Sequence, residues 1–216
     1  MPALNSPDLK QLMQRAQVLG LQAKPELPEA LRQMLSDADQ QKRLLTAAEQ
    51  QSICAWSGIQ PACVDHLQTV MDRLIDQAKT VLLRKQPGLV QPGGALHPEE
   101  RARACWRDCW QFMRVIIKAV AVGDPECTDP EGMGALRQLY AHMDVPIPAL
   151  NVALEHLRHL SLAEIPVPES RREHSTLAQA FDHLSAELNK SAVKTCEATG
   201  DAYVNSGQAG NRINAQ

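Results

Sequence analysis

Three side chains with reactive or charged groups lie on one face of a predicted helix near the middle of the chain. Arg101, Cys105 and Asp108 are followed by Cys109 and Phe112 at helical spacing, so all five share that face. A thiolate is a nucleophile, a carboxylate accepts N–H bonds, and a guanidinium pairs with acidic groups. This combination suits an anionic ligand that is tethered through sulfur and also offers N–H donors. A linear tetrapyrrole has that description.

A loop and the helix that follows it position this face. Residues 86–94 contain two prolines and the paired Gly93-Gly94, which is typical of a loop. The next helix is predicted to begin near Pro98, where the missing N–H costs nothing, with two glutamates near its positive end. It is predicted to run to Val122.

The rest of the chain also shows helical periodicity, and no strand pattern of comparable length appears. The sequence therefore predicts an all-α fold of roughly eight helices, without an internal repeat. A first helix, with Met13 on its apolar side, is expected from Ser6 to about Gly20. Later helices are expected over 28–51, 64–82, from Pro130, over 149–162 and over 177–188, before a flexible tail from about residue 200.

The composition of the chain argues against several classes of function. The chain has 216 residues, a net charge of −3 and 3% aromatic residues, which predicts one domain with a largely aliphatic core. There is no basic surface for nucleic acid and no apolar run long enough to cross a membrane. The beginning of the chain lacks a signal-peptide pattern, so we expect a cytoplasmic protein with six reduced cysteines.

The stretch from Gln77 to Leu160 resembles the core of the phycobiliproteins, and β subunits more than α subunits. Four segments match it without a gap: 91–94 (Gln-Pro-Gly-Gly), 105–108 (Cys-Trp-Arg-Asp), 114–124 and 136–146. With weaker matches on both sides, the resemblance covers about residues 7 to 193. It implies a globin-like domain over 1–199 with an N-terminal helical hairpin at about 1–51, an insertion at about 52–63, and the tail at 200–216.

The resemblance implies roles for the reactive face. Cys105 is the expected covalent attachment point of a bilin, through a thioether, and Asp108 is expected to accept hydrogen bonds from the pyrrole N–H groups. The alternatives are a small buried apolar side chain for the cysteine and a solvated helix charge for the aspartate.

Four further residues are expected to surround the bilin. Arg101 and Arg107 resemble the arginines that hold the bilin propionates, although Arg107 points to the flank and suits only the pocket edge. Tyr140 falls where the family has a tyrosine lining the pocket, and Met143 where it has an apolar residue. Without a ligand the arginines would be ordinary surface residues. Tyr140 and Met143 could equally belong to the core, which for Met143 is the favoured prediction.

Several positions depart from the family pattern. Ala95 replaces the asparagine that follows the paired glycines, and the second attachment cysteine of phycocyanin-type β subunits is replaced near His174. One bilin, most simply of the phycocyanobilin type, is therefore the expected cofactor. Gln17 takes the place of an aspartate that pairs with an arginine of the partner subunit, whereas Arg114, the arginine of such pairs, is retained.

The function predicted from these features is a single-bilin, allophycocyanin-like pigment protein that absorbs light and passes excitation onward without catalysis. The expected partners are a phycobiliprotein-like subunit or a second copy, and linker proteins of the phycobilisome, on the cytoplasmic face of thylakoid membranes. The departures keep a second interpretation open: a divergent photosensor, or a regulator of bilin or phycobilisome assembly. A protein without chromophore that acts through helix contacts is the third.

Other classes of site are less well supported. Cys105 and Cys109 are four residues apart and do not form the C-x-x-C motif of redox proteins. His156 and His159 could share a helix face, but no further ligands complete a recognisable metal site. A haem globin is an alternative on fold alone, although no histidine stands out as a proximal ligand.

Overall fold

Helices dominate the computed structural model, which describes residues 7–165 and 170–190, with the side chains of Pro7 and Asp8 excepted. Two short 3₁₀ turns, Leu21–Ala23 and Pro87–Val90, join some of the α-helices. In the described part of the chain the α-helices are α1 (Pro7–Arg15), α2 (Glu29–Gln40), α3 (Ala47–Ser57), α4 (Pro61–Lys85), α5 (Glu99–Val122), α6 (Pro130–His142), α7 (Ile147–Ala163) and α8 (Arg171–Asn189). The all-α prediction is confirmed.

Helix α5 is the centre of the packing. Every residue from Phe112 to Val122 is buried, and α5 packs against α3, α4, α7 and α8. The first half of the same helix is only partly buried. A helix buried on all sides at one end and open at the other leaves its Cys105 half available to line a site.

The helix predicted over 28–51 is wrong, because two helices occupy this stretch. Helix α2 ends at Gln40, and Lys42 follows with a positive φ of 51°. Helix α3 then begins after Thr46, whose side chain accepts from the Glu49 backbone N–H while the Glu49 carboxylate accepts from the Thr46 backbone N–H. This capping box satisfies two N–H groups at the helix start, so it defines a new helix.

The first helix is shorter than expected. Helix α1 ends at Arg15 rather than near Gly20, and Met13 is 57% exposed rather than on the apolar side. Helix α1 packs mainly against α6, whereas α2 packs against the Leu21–Ala23 turn and α3. The span of the predicted hairpin therefore contains α1, α2 and the start of α3, and α1 and α2 pack on different parts of this chain.

Several other boundaries were close to expectation. Helix α4 starts at Pro61, one turn before Val64, and α7 starts at Ile147. The expected insertion, residues 52–63, forms the second half of α3, a turn and the start of α4; that it is an insertion stays a prediction. Ser6 and the predicted tail lie outside the described residues. No helix of the described part is long and apolar enough to cross a membrane.

The Pro/Gly loop turns the chain tightly before α5. A Cβ at Gly94 would collide with the carbonyl oxygens of Gly88 and Leu89, so only glycine allows this close approach. The Leu96 N–H then donates to the Leu89 carbonyl oxygen at 2.8 Å. The loop places Ala95 and Leu96 beside the first half of α5.

A buried charge cluster joins α2 to α5. The Asp39 Oδ1 atom accepts from Arg114 Nη1 and from Lys118 Nζ, each at 2.5 Å, and all three side chains are at most 6% exposed. Gln17, by contrast, donates to the Gln14 backbone carbonyl oxygen. Arg114 therefore has its acidic partner within this chain, and the cluster carries one cation more than it has anions.

Candidate functional site

A cleft beside the exposed half of α5 collects most of the predicted site residues. It lies between α5, the loop before it, α6 and the start of α7, and its volume is about 480 Å³, which includes space open to solvent. Its lining consists of Ala95, Leu96, Arg101, Ala104, Cys105, Asp108, Tyr140, Met143, Val145, Pro146 and Leu150. Mostly apolar walls with a few polar groups are typical of a small-molecule site.

The two cysteines of the cleft region differ in access. Cys105 lines the cleft and is 9% exposed, whereas Cys109, one turn further along α5, is fully buried and does not line it. The neighbouring Cys109 thiol lowers the pKa of Cys105 and outweighs the opposing effects of burial and of Asp108. The neighbouring Cys105 thiol and burial raise the pKa of Cys109 well above its ordinary value. Cys105 is thus the thiol that a ligand in the cleft would meet.

Asp108 and Tyr140 form a polar pair in the cleft wall. The Tyr140 hydroxyl donates to Asp108 Oδ2 at 2.9 Å. Burial raises the pKa of Asp108, although this hydrogen bond and the charge of Arg107 oppose the shift. Burial and the Asp108 charge raise the pKa of Tyr140 well above its ordinary value. The carboxylate has lost much of its water and would gain from further N–H donors.

Arg101 holds two walls of the cleft together. Its Nε donates to the Ala95 carbonyl oxygen at 3.0 Å, and its Nη2 donates to the carbonyl oxygens of Met143 and Asp144 at 3.0 and 2.8 Å. The guanidinium thereby joins the loop before α5 to the turn between α6 and α7. Within the described residues Nη1 has no hydrogen-bond acceptor, so it remains available to an acidic ligand group.

Two predicted residues lie differently from the rest. Arg107 is exposed and does not line the cleft, so its predicted contact with a ligand depends on groups that reach the rim. Met143 is 39% exposed at the cleft mouth, and its favoured assignment to the core is wrong. Tyr140 is 5% exposed and lines the cleft, so it belongs to both the core and the site.

Sequence reasoning missed the buried charge cluster and part of the cleft lining. Arg114 and Lys118 are four residues apart inside the most apolar stretch of the chain, and buried cations require an acidic partner. That spacing was a signal for a third residue such as Asp39. Leu96, Ala104 and Leu150 carried no comparable signal, because apolar cleft walls and core residues have the same composition.

The histidines of α7, His156 and His159, pair with neighbouring side chains rather than with each other. Lys85 Nζ lies 3.0 Å from His156 Nε2, and His159 lies 3.6 Å from the Glu155 carboxylate. No group of three or more His, Cys, Asp or Glu side chains in the described residues is arranged to hold a metal ion.

Comparison with known proteins identifies the family. The model of the phycobilisome protein family matches residues 33–188, a span that contains the whole cleft. The chain belongs to the phycobilisome protein family. Members of this family have the globin-like all-α fold, which agrees with the helical packing around α5.

Individual relatives are distant but cover most of the chain. The allophycocyanin subunit alpha-B of a Nostoc species is 27% identical over 70% of this chain and 94% of its own length. The allophycocyanin alpha-B chain of a Synechococcus species is 30% identical over 52% of this chain and 66% of its own length. The C-phycocyanin beta chain of Aglaothamnion neglectum is 26% identical, over 58% and 76% respectively. Because α-type and β-type relatives match at similar identity, the closer resemblance to β subunits stays a prediction.

Proposed function

We propose that this chain is a bilin-binding pigment protein that absorbs light and transfers excitation energy, with one bilin attached through Cys105. The observation that carries the proposal is the cleft itself, which places one thiol beside a desolvated carboxylate and a guanidinium. This donor set fits a tetrapyrrole with N–H groups and propionates. Family membership and the pigment-protein relatives support the same function.

Each residue of the cleft would have a separate task. A bound bilin would supply the conjugated ring system that absorbs visible light. Cys105 would hold it covalently, Asp108 would accept hydrogen bonds from its pyrrole N–H groups, and the free Nη1 of Arg101 would pair with a propionate. Tyr140 would keep the Asp108 carboxylate oriented through their hydrogen bond. Arg107 would contact only a propionate at the rim.

The proposal is tested by making the protein in cells that also produce phycocyanobilin. We expect a zinc-fluorescent band on a denaturing gel, which reports covalent bilin, and a visible absorption band in the native protein. Time-resolved spectra should then show a long-lived excited state without photoconversion, as energy transfer requires. A colourless protein after correct folding would contradict the proposal, and photoconversion would favour a sensor.

Replacing Asp108 with asparagine tests its role at the pyrrole nitrogens. Asp108→Asn should keep the thioether but shift the visible band to the blue and weaken it, because an amide carries no negative charge to balance a protonated tetrapyrrole. The lost charge-assisted bond corresponds to about 1.5–3 kcal/mol. Glu155→Gln, a change at an exposed carboxylate of α7, is the control. An unchanged spectrum would show that Asp108 does not face the rings.

For partners, we propose that the protein assembles with itself or with a dedicated phycobiliprotein-like subunit, at the cytoplasmic face of a photosynthetic membrane. Arg114 is already paired with Asp39 of its own chain, which supports an assembly different from the ordinary ring. Size-exclusion chromatography with light scattering, on the pigmented protein mixed with allophycocyanin subunits, should show no mixed trimers. Ready incorporation into such trimers would contradict this proposal.

A further inference from the structure

The turn that ends α6 has the hydrogen bonds of a Schellman motif. The Val145 N–H donates to the Tyr140 carbonyl oxygen at 2.9 Å, and the Asp144 N–H donates to the Ala141 carbonyl oxygen at 3.4 Å. In this motif the residue after the helix C-cap has a left-handed conformation and is usually glycine. Asp144 occupies that position here, with a φ of 51°. The turn therefore has a conformational cost that contacts from outside it can offset.

Arg101 of α5 supplies such contacts. Its Nη2 donates to the carbonyl oxygens of Met143 and Asp144, at 3.0 and 2.8 Å. Met143 is the C-cap residue of α6, so the guanidinium binds the two central residues of the turn. The end of a helix leaves carbonyl groups without partners inside the helix and carries partial negative charge, and a guanidinium satisfies both.

The guanidinium is itself oriented by the opposite wall of the cleft. Its Nε donates to the Ala95 carbonyl oxygen at 3.0 Å. Ala95 follows Gly94, which lies so close to Gly88 and Leu89 that it leaves no room for a Cβ. One planar group thus connects a tight loop to a turn with a left-handed residue. A lysine ammonium has no fixed set of donor directions, so it would not reproduce these contacts.

The same turn positions the residue that contacts Asp108. Tyr140 accepts the closing hydrogen bond of the turn through its carbonyl oxygen, and its hydroxyl donates to Asp108 Oδ2 at 2.9 Å. Val145, the donor of the closing bond, lines the cleft together with Tyr140. A change in the turn would therefore move the Tyr140 hydroxyl relative to the carboxylate.

We propose that Arg101 is a positioning residue, which clamps the turn after α6 and thereby holds the Tyr140 hydroxyl on Asp108. The inference rests on the proposed function, in which Asp108 accepts from the pyrrole N–H groups. It adds a second role to the contact between Arg101 and a propionate. Arg101 thus affects the environment of the pigment through Tyr140 and Asp108, and not by direct contact alone.

The first test measures the turn in the bilin-free protein, by amide hydrogen exchange of the Val145 N–H in NMR spectra. Arg101→Met keeps an apolar stem but no donor, and it should speed this exchange about tenfold. Arg101→Lys, which keeps the charge, should give an intermediate rate. Arg103→Met is the control and should leave the rate unchanged, because Arg103 is exposed and pairs with Glu99 on the outside of the same helix.

A rescue variant separates the clamp from the charge of Arg101. Glycine adopts the left-handed conformation readily, so Asp144→Gly should slow the Val145 exchange of Arg101→Met about fivefold. In the pigmented protein it should also return the visible band of Arg101→Met toward the wild-type position. Asp144→Ala removes the same carboxylate without easing the turn, so it should rescue neither. If Asp144→Gly leaves both the exchange rate and the band of Arg101→Met unchanged, the inference is overturned.

A further arm follows the path through Tyr140 and separates the inference from the proposed function. Arg101→Met and Tyr140→Phe should shift the visible band in the same direction, and the double variant should shift it by less than the sum. Additive shifts would overturn the inference. If the wild-type protein takes up no bilin, the proposed function fails, while faster Val145 exchange in Arg101→Met still supports the clamp. If the wild-type protein is pigmented and the exchange rate does not change, the inference fails alone. Circular dichroism checks the fold of each variant, and Arg101→Lys replaces Arg101→Met if the latter does not fold.

Discussion

Cys105→Ala should abolish covalent pigment entirely, because Cys105 supplies the one thiol that lines the cleft within the described residues. The measurement is the zinc-fluorescent band on a denaturing gel after co-expression with a bilin supply. Any bilin that still enters the cleft should be removed by acid-urea denaturation and should leave the protein colourless. The effect is all or none, because a thioether has no substitute among the other side chains of the cleft.

The remaining cysteines provide matched controls for this change. Cys127→Ala should keep the full amount of pigment, since Cys127 is fully buried and does not line the cleft. Cys109→Ala should also keep the pigment, since Cys109 is fully buried and does not line the cleft. Pigment that persists on Cys105→Ala would overturn the site assignment, and pigment lost from all three variants would indicate a folding defect instead.

Part of the site followed from helical spacing alone. Arg101, Cys105 and Asp108 were expected on one face of one helix, and the structure places all three in one cleft. Tyr140 came only from the resemblance, because its hydrogen bond to Asp108 spans 32 positions. Periodicity indicates which residues of one helix share a face, but it does not indicate which other helix packs against that face.

The error in the predicted helix over 28–51 also came from relying on periodicity. Leu31, Leu35 and Ala38 repeat at helical spacing and are buried. The prediction relied on this spacing alone and therefore placed the end of the helix too late in the chain. The Thr46-x-x-Glu49 capping box was present in the sequence and marks a helix start. This capping box is stronger evidence for a helix boundary than the apolar spacing is, because a short turn between two helices need not interrupt that spacing.

The buried charge cluster gives Arg114 an acidic partner within its own chain. Gln17 carries no charge at the position of the family's aspartate, and the acid that pairs with Arg114 in this structure is Asp39. This acceptor lies 75 positions away on α2, so no local pattern linked the two. Its energetic effect can be measured, because two buried cations share one carboxylate.

Asp39→Asn should destabilise the fold more than any other single change considered. Removing the anion leaves Arg114 and Lys118 buried without a counter-charge, which typically costs about 3–5 kcal/mol. Urea unfolding at pH 7, followed by circular dichroism, should show this loss, with a melting temperature lower by about 10 °C. Asp37→Asn is the control, because Asp37 lies on the same helix and its carboxylate accepts from Gln33 near the surface.

Lys118→Met should have the opposite effect, because it removes the excess cation and keeps the Asp39–Arg114 pair. Burial lowers the pKa of Lys118 to about 8, so between pH 8 and the ordinary lysine value the unfolded chain binds more protons than the folded one. Stability of the wild-type protein should therefore rise with pH over that window and be lowest below it. Lys118→Met should raise the free energy of unfolding at pH 7 by about 1–3 kcal/mol and abolish the rise of stability with pH.

The double variant tests whether the two changes act on the same cluster. Lys118→Met in combination with Asp39→Asn should recover part of the lost stability, since one buried cation fewer lacks a partner. If Lys118→Met destabilises the protein at pH 7 as strongly as Asp39→Asn, then Lys118 is an essential partner of Asp39 rather than an excess charge.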